Sequence, residues 1–311
     1  MAKYVVTGGA GFIGHHVVNT LIERGDEVVV IDNLAGGNEF FGVRKNDKAV
    51  YYHFDISETS ALVKNRLAYA LENADYVINL AALPRVQASI DDPVTTCQVN
   101  VMGTIMMLEA ARKANVKRFV HASSSSVYGD SDQLPLHESM TPNPMSPYAR
   151  HKFIDEQLCQ DYALAPFNLP TVCLRFFNVY GPGADPNGAY ALVVAKFLDY
   201  KRQGKKLPIT GTGDQTRDFT HIQDVVRGIL LAVESQEVGM GEVINLGGGR
   251  QISVNEVADL IDPEHDHEYI EARFEPHDTL ASIEKAKRWL GWEPQITFED
   301  GIAELLSLNH P

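Results

Sequence analysis

The chain has 311 residues, 44% of them hydrophobic, enough to bury a sizeable core in one large or two unequal domains. Its 27 basic and 41 acidic residues leave a formal charge of −14, which argues against nucleic acid or an anionic membrane as partner. Cys97, Cys159 and Cys173 lack paired spacing, no charged leader precedes the first strand and no apolar run is long enough to span a membrane. A cytoplasmic protein without disulfides or a zinc site is therefore expected.

In chain order, β-branched runs predict strands at Tyr4–Thr7, Val28–Ile31, Val50–Phe54, Tyr76–Leu80, Arg118–Ala122 and Thr171–Leu174. Helical patterns fall between them, near Gly14–Arg24, Ser57–Glu72, Pro93–Ala114 and Tyr148–Tyr162. This alternation implies βαβ units and a Rossmann-like, doubly wound parallel sheet in an α/β fold. The strands are almost continuously apolar, as when helices cover both faces. After Arg175 the pattern loosens through Gly181-Pro182-Gly183 and Asp185-Pro186-Asn187-Gly188. Residues 1–179 are read as the dinucleotide domain. Residues 180–311 are read mainly as a smaller α/β substrate domain, with about 219–234 packing back on the first.

Three motifs carry the chemistry. Gly8, Gly11 and Gly14 lie between a predicted strand and a predicted helix, where they permit a tight turn, backbone approach to a pyrophosphate and close helix–strand packing. The phosphates would meet free N–H groups at the helix start. Asp32, ending the second strand, suits the adenosine ribose and repels a 2′-phosphate, so NAD is favoured over NADP. Asp55 is placed to receive the adenine amino group or, since a helix follows, to cap that helix. Ala81 and Ala82 offer small side chains where the cofactor passes.

Tyr148-x-x-x-Lys152 puts an ammonium one helical turn beyond a phenol, behind a Ser146-Pro147 helix entry. A phenol titrates near pH 10 unaided, and an adjacent positive charge draws it toward neutrality, as a general base requires. Lys152 can also hold the nicotinamide ribose. The run Ser123-Ser124-Ser125-Ser126, after the fifth strand, supplies a hydroxyl for the reacting alcohol, and chemistry alone leaves open which one. His265-Asp266-His267 has no matching ligand cluster and reads as a solvated loop, so no metal site is expected.

These residues resemble the NDP-sugar epimerase/dehydratase family of extended short-chain dehydrogenases. The likeness covers nearly the whole chain: Thr7-Gly8-Gly9-Ala10-Gly11-Phe12-Ile13-Gly14, Asn79-Leu80-Ala81-Ala82, Asn100 with Gly103-Thr104, Ser146-Pro147-Tyr148, Arg175–Pro182, Arg217-Asp218-Phe219 and Lys285–Trp292. The resemblance puts the catalytic hydroxyl on Ser124, with Tyr148 and Lys152, and adds Phe12, Ile13, Asn33 and Ile56 to the cofactor residues. Related 4,6-dehydratases carry Asp-Glu after the catalytic hydroxyl, to eliminate water. Ser125 and Ser126 stand there in this chain, so the resemblance implies 4-epimerisation of a UDP-hexose with retained NAD.

Within that family, Asp185–Tyr190 is similar to UDP-N-acetylhexosamine 4-epimerases, and Thr279 falls on the sugar-pocket position, where a small side chain leaves room for an acetamido group. Asn178, Arg217 and Arg273 are the expected diphosphate or sugar ligands, although Arg273 is one place off the family's Arg-x-Gly-Asp pattern. Arg85 and Ser125 complete the expected substrate set. A homodimer is also implied, through helices carrying Val101, Ile105, Leu108, Ile154 and Leu158. The alternatives are a reductase, decarboxylase or dehydrogenase of nucleotide sugars on the same scaffold, or a catalytically silent NAD-binding protein.

Overall fold

Apolar side chains on both faces of nearly every early strand set the architecture, because such strands are stable only between two helical layers. The computed structural model describes residues 1–35, 45–186, 193–264, 267–271 and 276–308. Its centre is a seven-stranded sheet. In chain order the strands and main covering helices are β1 (Lys3–Thr7), α1 (Phe12–Glu23), β2 (Glu27–Asp32), β3 (Val50–His53), α2 (Ala61–Ala70), β4 (Tyr76–Asn79), α3 (Gly103–Lys113), β5 (Arg118–Ser124), α4 (Pro147–Ala163), β6 (Thr171–Phe176), α5 (Ile222–Glu234) and β7 (Met240–Leu246). The order across the sheet is β7-β6-β5-β4-β1-β2-β3, with every pairing parallel. This is the doubly wound, Rossmann-like arrangement that the alternation predicts.

The two faces use alternate residues of each strand. Val6, Val30, Ile78, Val120, Val172 and Leu174 pack with α1 and α5, through Val17, Val18, Leu21, Val225, Val226 and Ile229. Val5, Val29, Ile31, Val77, Phe119 and Cys173 pack with α2, α3 and α4, through Val63, Leu67, Met107, Leu108 and Cys159. Helix α5 therefore lies on the central sheet, and β7, for which no strand was expected, completes the sheet beyond β6.

Two expected helices differ. The second starts at Ala61, capped by Ser60, because Asp55 folds the preceding residues into its own turn. The third, expected at Pro93–Ala114, runs as Pro93–Cys97, a π turn at Gln98–Met102 and α3, and a short helix that was not expected, Val86–Asp91, precedes it. The wide turn houses buried Asn100, whose side chain accepts from Leu83 N (2.7 Å) and donates to Leu83 O (3.1 Å).

After β6 the chain makes short strand pairs: Val179–Tyr180 with Thr220–His221, Thr216–Asp218 with Gln251–Ser253, and Pro208–Thr210 with Glu268–Ile270. They surround a separate apolar cluster of Phe197, Ile209, Phe219, Ile252, Ile261 and Phe298.

Candidate active site

The site forms where strand order reverses, in the crevice between β1 and β4, beyond the carboxyl ends of the strands. Gly8 turns the chain out of β1 with φ +67°, and a Cβ there would lie 2.9 Å from Ala81 N. A Cβ on Gly14 would lie 2.1 Å from Gly8 O, so α1 can approach the strand ends only as glycine. At Gly11 an added Cβ would meet, among the described residues, Gly8 O alone within 4 Å, at 3.2 Å. Among the described residues no side chain caps α1, whose first turn is Phe12, Ile13 and Gly14. A backbone cradle at an uncapped helix start fits a dinucleotide diphosphate.

The next predicted cofactor residues line the same edge. Asp32 accepts from Ala10 N (3.0 Å) and Leu34 N (2.8 Å), tying the glycine loop to the end of β2. Asn33 Nδ2 donates to Asp55 (3.0 Å), and Asp55 also accepts from Ser57 N and Oγ. Those hydrogen bonds outweigh burial and hold the Asp55 carboxyl below its ordinary range. Ile56 is buried beneath it. Ala81 N donates to Thr7 Oγ1 (3.1 Å), which fixes the Ala81–Ala82 loop against β1.

Opposite this edge, Ser146 caps α4 through Ala149 N (3.1 Å), and Tyr148 and Lys152 follow, both buried. Ser89, which the sequence reading missed, accepts from Tyr148 N (3.0 Å) while donating to Val86 O (2.6 Å). Lys152 Nζ donates to Ala122 O (2.7 Å), so the ammonium is seated against β5. Burial lowers its pKa, and the nearby Asp155 carboxylate opposes that shift. Ser124 ends β5. Its Oγ accepts from Ser126 N (3.2 Å) and Ser126 Oγ (2.9 Å), which leaves its own proton to be given elsewhere. Ser125 begins a 3-10 turn beside it. Ser123 instead points behind the strand, donating to Glu156 (2.5 Å), which excludes it from the cleft set.

Of the expected substrate residues, Asn178 donates to Asp218 O (2.9 Å). Arg217 donates to Thr216 O (2.9 Å) and His277 O (3.0 Å) from the strand beside it. Buried Thr279 accepts from Asp218 N (3.2 Å). Asp218 collects these segments, accepting also from Ala281 N (2.9 Å), Gly248 N (2.5 Å) and Gly249 N (3.1 Å). Arg85 is exposed at the start of Val86–Asp91, outside the group that Asp218 joins. Arg273 and residues 187–190 of the Asp185–Tyr190 motif lie outside the described residues, as do His265 and Asp266. A cavity of about 170 Å³ lies elsewhere, lined by Tyr180, Pro186, Leu198, Arg202 and Leu305 among others. None of its lining residues belongs to the expected catalytic or cofactor sets.

A parallel seven-stranded sheet with a glycine cradle at its switch point, facing a helix-borne Tyr–Lys pair, defines a dinucleotide-dependent enzyme scaffold. The model of the NAD dependent epimerase/dehydratase family matches residues 4–247, and the chain belongs to that family, with NAD as its cofactor. A putative UDP-glucose 4-epimerase of Methanocaldococcus jannaschii is 36% identical, with 97% of each chain covered. A UDP-N-acetyl-alpha-D-glucosaminuronate decarboxylase of Bacillus cytotoxicus is 32% identical, covering 98% of this chain and 96% of its own. Among solved structures, the UDP-N-acetylglucosamine 4-epimerase of Methanobrevibacter ruminantium M1, in complex with UDP-N-acetylmuramic acid, superposes with a TM-score of 0.89. That protein is 31% identical, with 99% of both chains covered.

Proposed function

We propose that this protein is a 4-epimerase of UDP-hexoses that accepts a UDP-N-acetylhexosamine. The observation that supports this reading is the hydroxyl-only end of β5: Ser124, Ser125 and Ser126 follow one another with no carboxylate in the run, and Lys152 Nζ donates to Ala122 O of the same strand. Elimination of water needs a general acid there, whereas oxidation and reduction at one carbon need only a proton acceptor and an orienting hydroxyl.

Tyr148, as phenolate beside the Lys152 ammonium, takes the proton of the sugar 4-hydroxyl. Ser124 Oγ donates to that oxygen and holds it in line. NAD supplies the acceptor, and later the donor, of the hydrogen at C4. The resulting 4-keto sugar turns about its diphosphate linkage, and Tyr148 returns the proton after the opposite face is reduced. No net redox change results. Such a site grips the diphosphate, a role assigned to Arg217, Arg273 and Asn178, and tolerates either sugar face, with Arg85 and Ser125 at the rim. Thr279, small and turned toward Asp218, leaves space beside the sugar's second carbon.

In the same reading residues 180–311, apart from α5 and β7, form most of the substrate domain, with Asn178 and the catalytic set contributed by residues 1–179. A homodimer forms through the helices around Val86–Met102 and α4. Val86, Ile90, Val94 and Met102 are exposed there, at 45%, 54%, 76% and 37%. Leu108, expected at that surface, packs inside against the sheet instead. Sedimentation velocity tests the dimer. Proton NMR of the purified protein with UDP-N-acetylglucosamine, UDP-glucose and UDP-glucuronate in parallel, without added NAD, tests the chemistry. Appearance of the 4-epimer of the acetylated sugar is expected, and a net keto or decarboxylated product would overturn the reading.

A further inference from the structure

Behind Lys152 lies a buried polar chain that the mechanism above does not use. It begins at the cofactor edge, where Leu80 N and Ala81 N both donate to Thr7 Oγ1 (3.1 Å each). Thr7 Oγ1 donates to Asn79 Oδ1 (2.7 Å), which fixes the Asn79 amide with its nitrogen facing His121 Nδ1 (3.1 Å). That nitrogen is a donor, so Nδ1 is an acceptor and the imidazole proton sits on Nε2. Nε2 faces Asp155 Oδ2 at 3.4 Å, in the geometry of an ion-pair contact rather than an aligned hydrogen bond. Every donor along this route points the same way, from the Ala81 loop toward Asp155.

Asp155 is the unusual member. Its side chain is 0% exposed, and neither carboxylate oxygen has a hydrogen bond among the described residues. A carboxylate so buried is costly unless a positive charge faces it. Asp155 lies three residues beyond Lys152, on the same buried stripe of α4 as Glu156 and Cys159. The other ionisable groups turned toward this stripe are His121 on β5, Cys173 and Arg175 on β6, and Tyr148 and His151 on α4. Glu156 is already engaged by Arg175 at 2.7 and 2.8 Å. Burial holds His121 and His151 below the ordinary histidine range. That leaves Asp155 as the uncommitted negative charge for the Lys152 ammonium.

We infer that Asp155 and His121 are positioning residues for Lys152: Asp155, one helical turn along α4, keeps the ammonium charged, and His121, the last member of the hydrogen-bonded chain from the Leu80–Ala81 loop, holds Asp155 in place. Lys152 is only 3% exposed, so its ammonium is already largely removed from water, and a fixed carboxylate one turn along the helix offsets that cost. His121, neutral with its proton on Nε2, shields Asp155 from the apolar layer and couples it to the cofactor edge.

The kinetic consequence rests on the epimerase reading, and a spectroscopic one does not. In protein labelled with ¹³Cε-lysine, Asp155→Asn, nearly isosteric, is expected to move the Lys152 titration to lower pH. Under the epimerase reading, the same variant loses roughly tenfold in kcat/KM at pH 9 but less than about threefold at pH 7. Equal loss at all pH values, with the Lys152 titration unmoved, would show a merely structural role and overturn the inference. Should the wild type epimerise none of the three UDP-sugars, the functional reading fails while the lysine titration still decides this one. Should the variant not fold, imidazole ¹⁵N NMR of the wild type decides. An Nε2–H tautomer at His121 through neutral pH is expected, and an Nδ1–H tautomer or a charged ring contradicts the chain.

Discussion

At the scale of single residues, the site depends on which atoms hold protons. In the proposed mechanism Tyr148 acts through its phenolic oxygen, while its backbone N–H is held by Ser89. Tyr148→Phe should therefore lower kcat by about 10²–10⁴-fold while leaving the melting temperature nearly unchanged. Ser124→Ala removes one orienting donor and should cost about 10²-fold. Steady-state kinetics beside a thermal melt separates both from unfolding. Thr279 makes a different prediction. In the proposed binding mode Thr279→Tyr fills the space beside the sugar, and it should cut kcat/KM for UDP-N-acetylglucosamine much more than for UDP-glucose. Equal losses on the two sugars would remove Thr279 from specificity and leave it as the partner of the Asp218 amide.

At the scale of elements, what the sequence shows depends on how local the cause is. The glycine cradle, Asp32 at a strand end and the Tyr148–Lys152 turn are each encoded within a few residues, and their positions follow from spacing. β7 is not legible in this way. It starts at Met240-Gly241-Glu242 with a register irregularity, and its place beside β6 is set by a partner some 70 residues earlier. The π turn at Gln98–Met102 is equally hidden, because its residues are all compatible with an ordinary helix and only Asn100's clamp on Leu83 requires the wider turn. His121 and Asp155 meet solely because α4 lies across β5. The same packing makes Glu156 a knot between elements: it accepts from Ser123 on β5 and two bonds from Arg175 on β6, whose guanidinium lies 4.4 Å from the Tyr128 ring. Both partners of the pair are 2% exposed. Glu156→Ala strands a buried guanidinium and should cost about 3–5 kcal/mol in urea unfolding, with part of the loss recovered in Glu156→Leu/Arg175→Met. A cost below about 1 kcal/mol would mean the pair contributes nothing beyond its packing.

At the scale of the molecule, the later segments are tied together by one buried carboxylate. Asp218 accepts from Gly248 and Gly249, just past β7, and from Ala281, while its own strand pairs with Gln251–Ser253. Two effects oppose each other at this group. Three amide donors favour the charged form, and nearly complete removal from water favours the neutral one; burial wins, and the pKa is pushed up to about 7. A folded-state pKa above the unfolded value of 3.8 means that the native protein holds a proton the unfolded chain has released. The stability so contributed is fully present below about pH 4 and is lost as pH rises through 7, by an amount on the order of 4 kcal/mol. Asn at this position carries no titrating proton. The stability difference between wild type and Asp218→Asn, measured by chemical denaturation from pH 5 to pH 8, should therefore shift against the wild type as pH rises. A difference that moves the other way, or stays flat, would mean that the three amides hold Asp218 charged throughout. The joint between β7, the Arg217 strand and the Thr279 segment would then be a permanent anion site rather than a proton-dependent one.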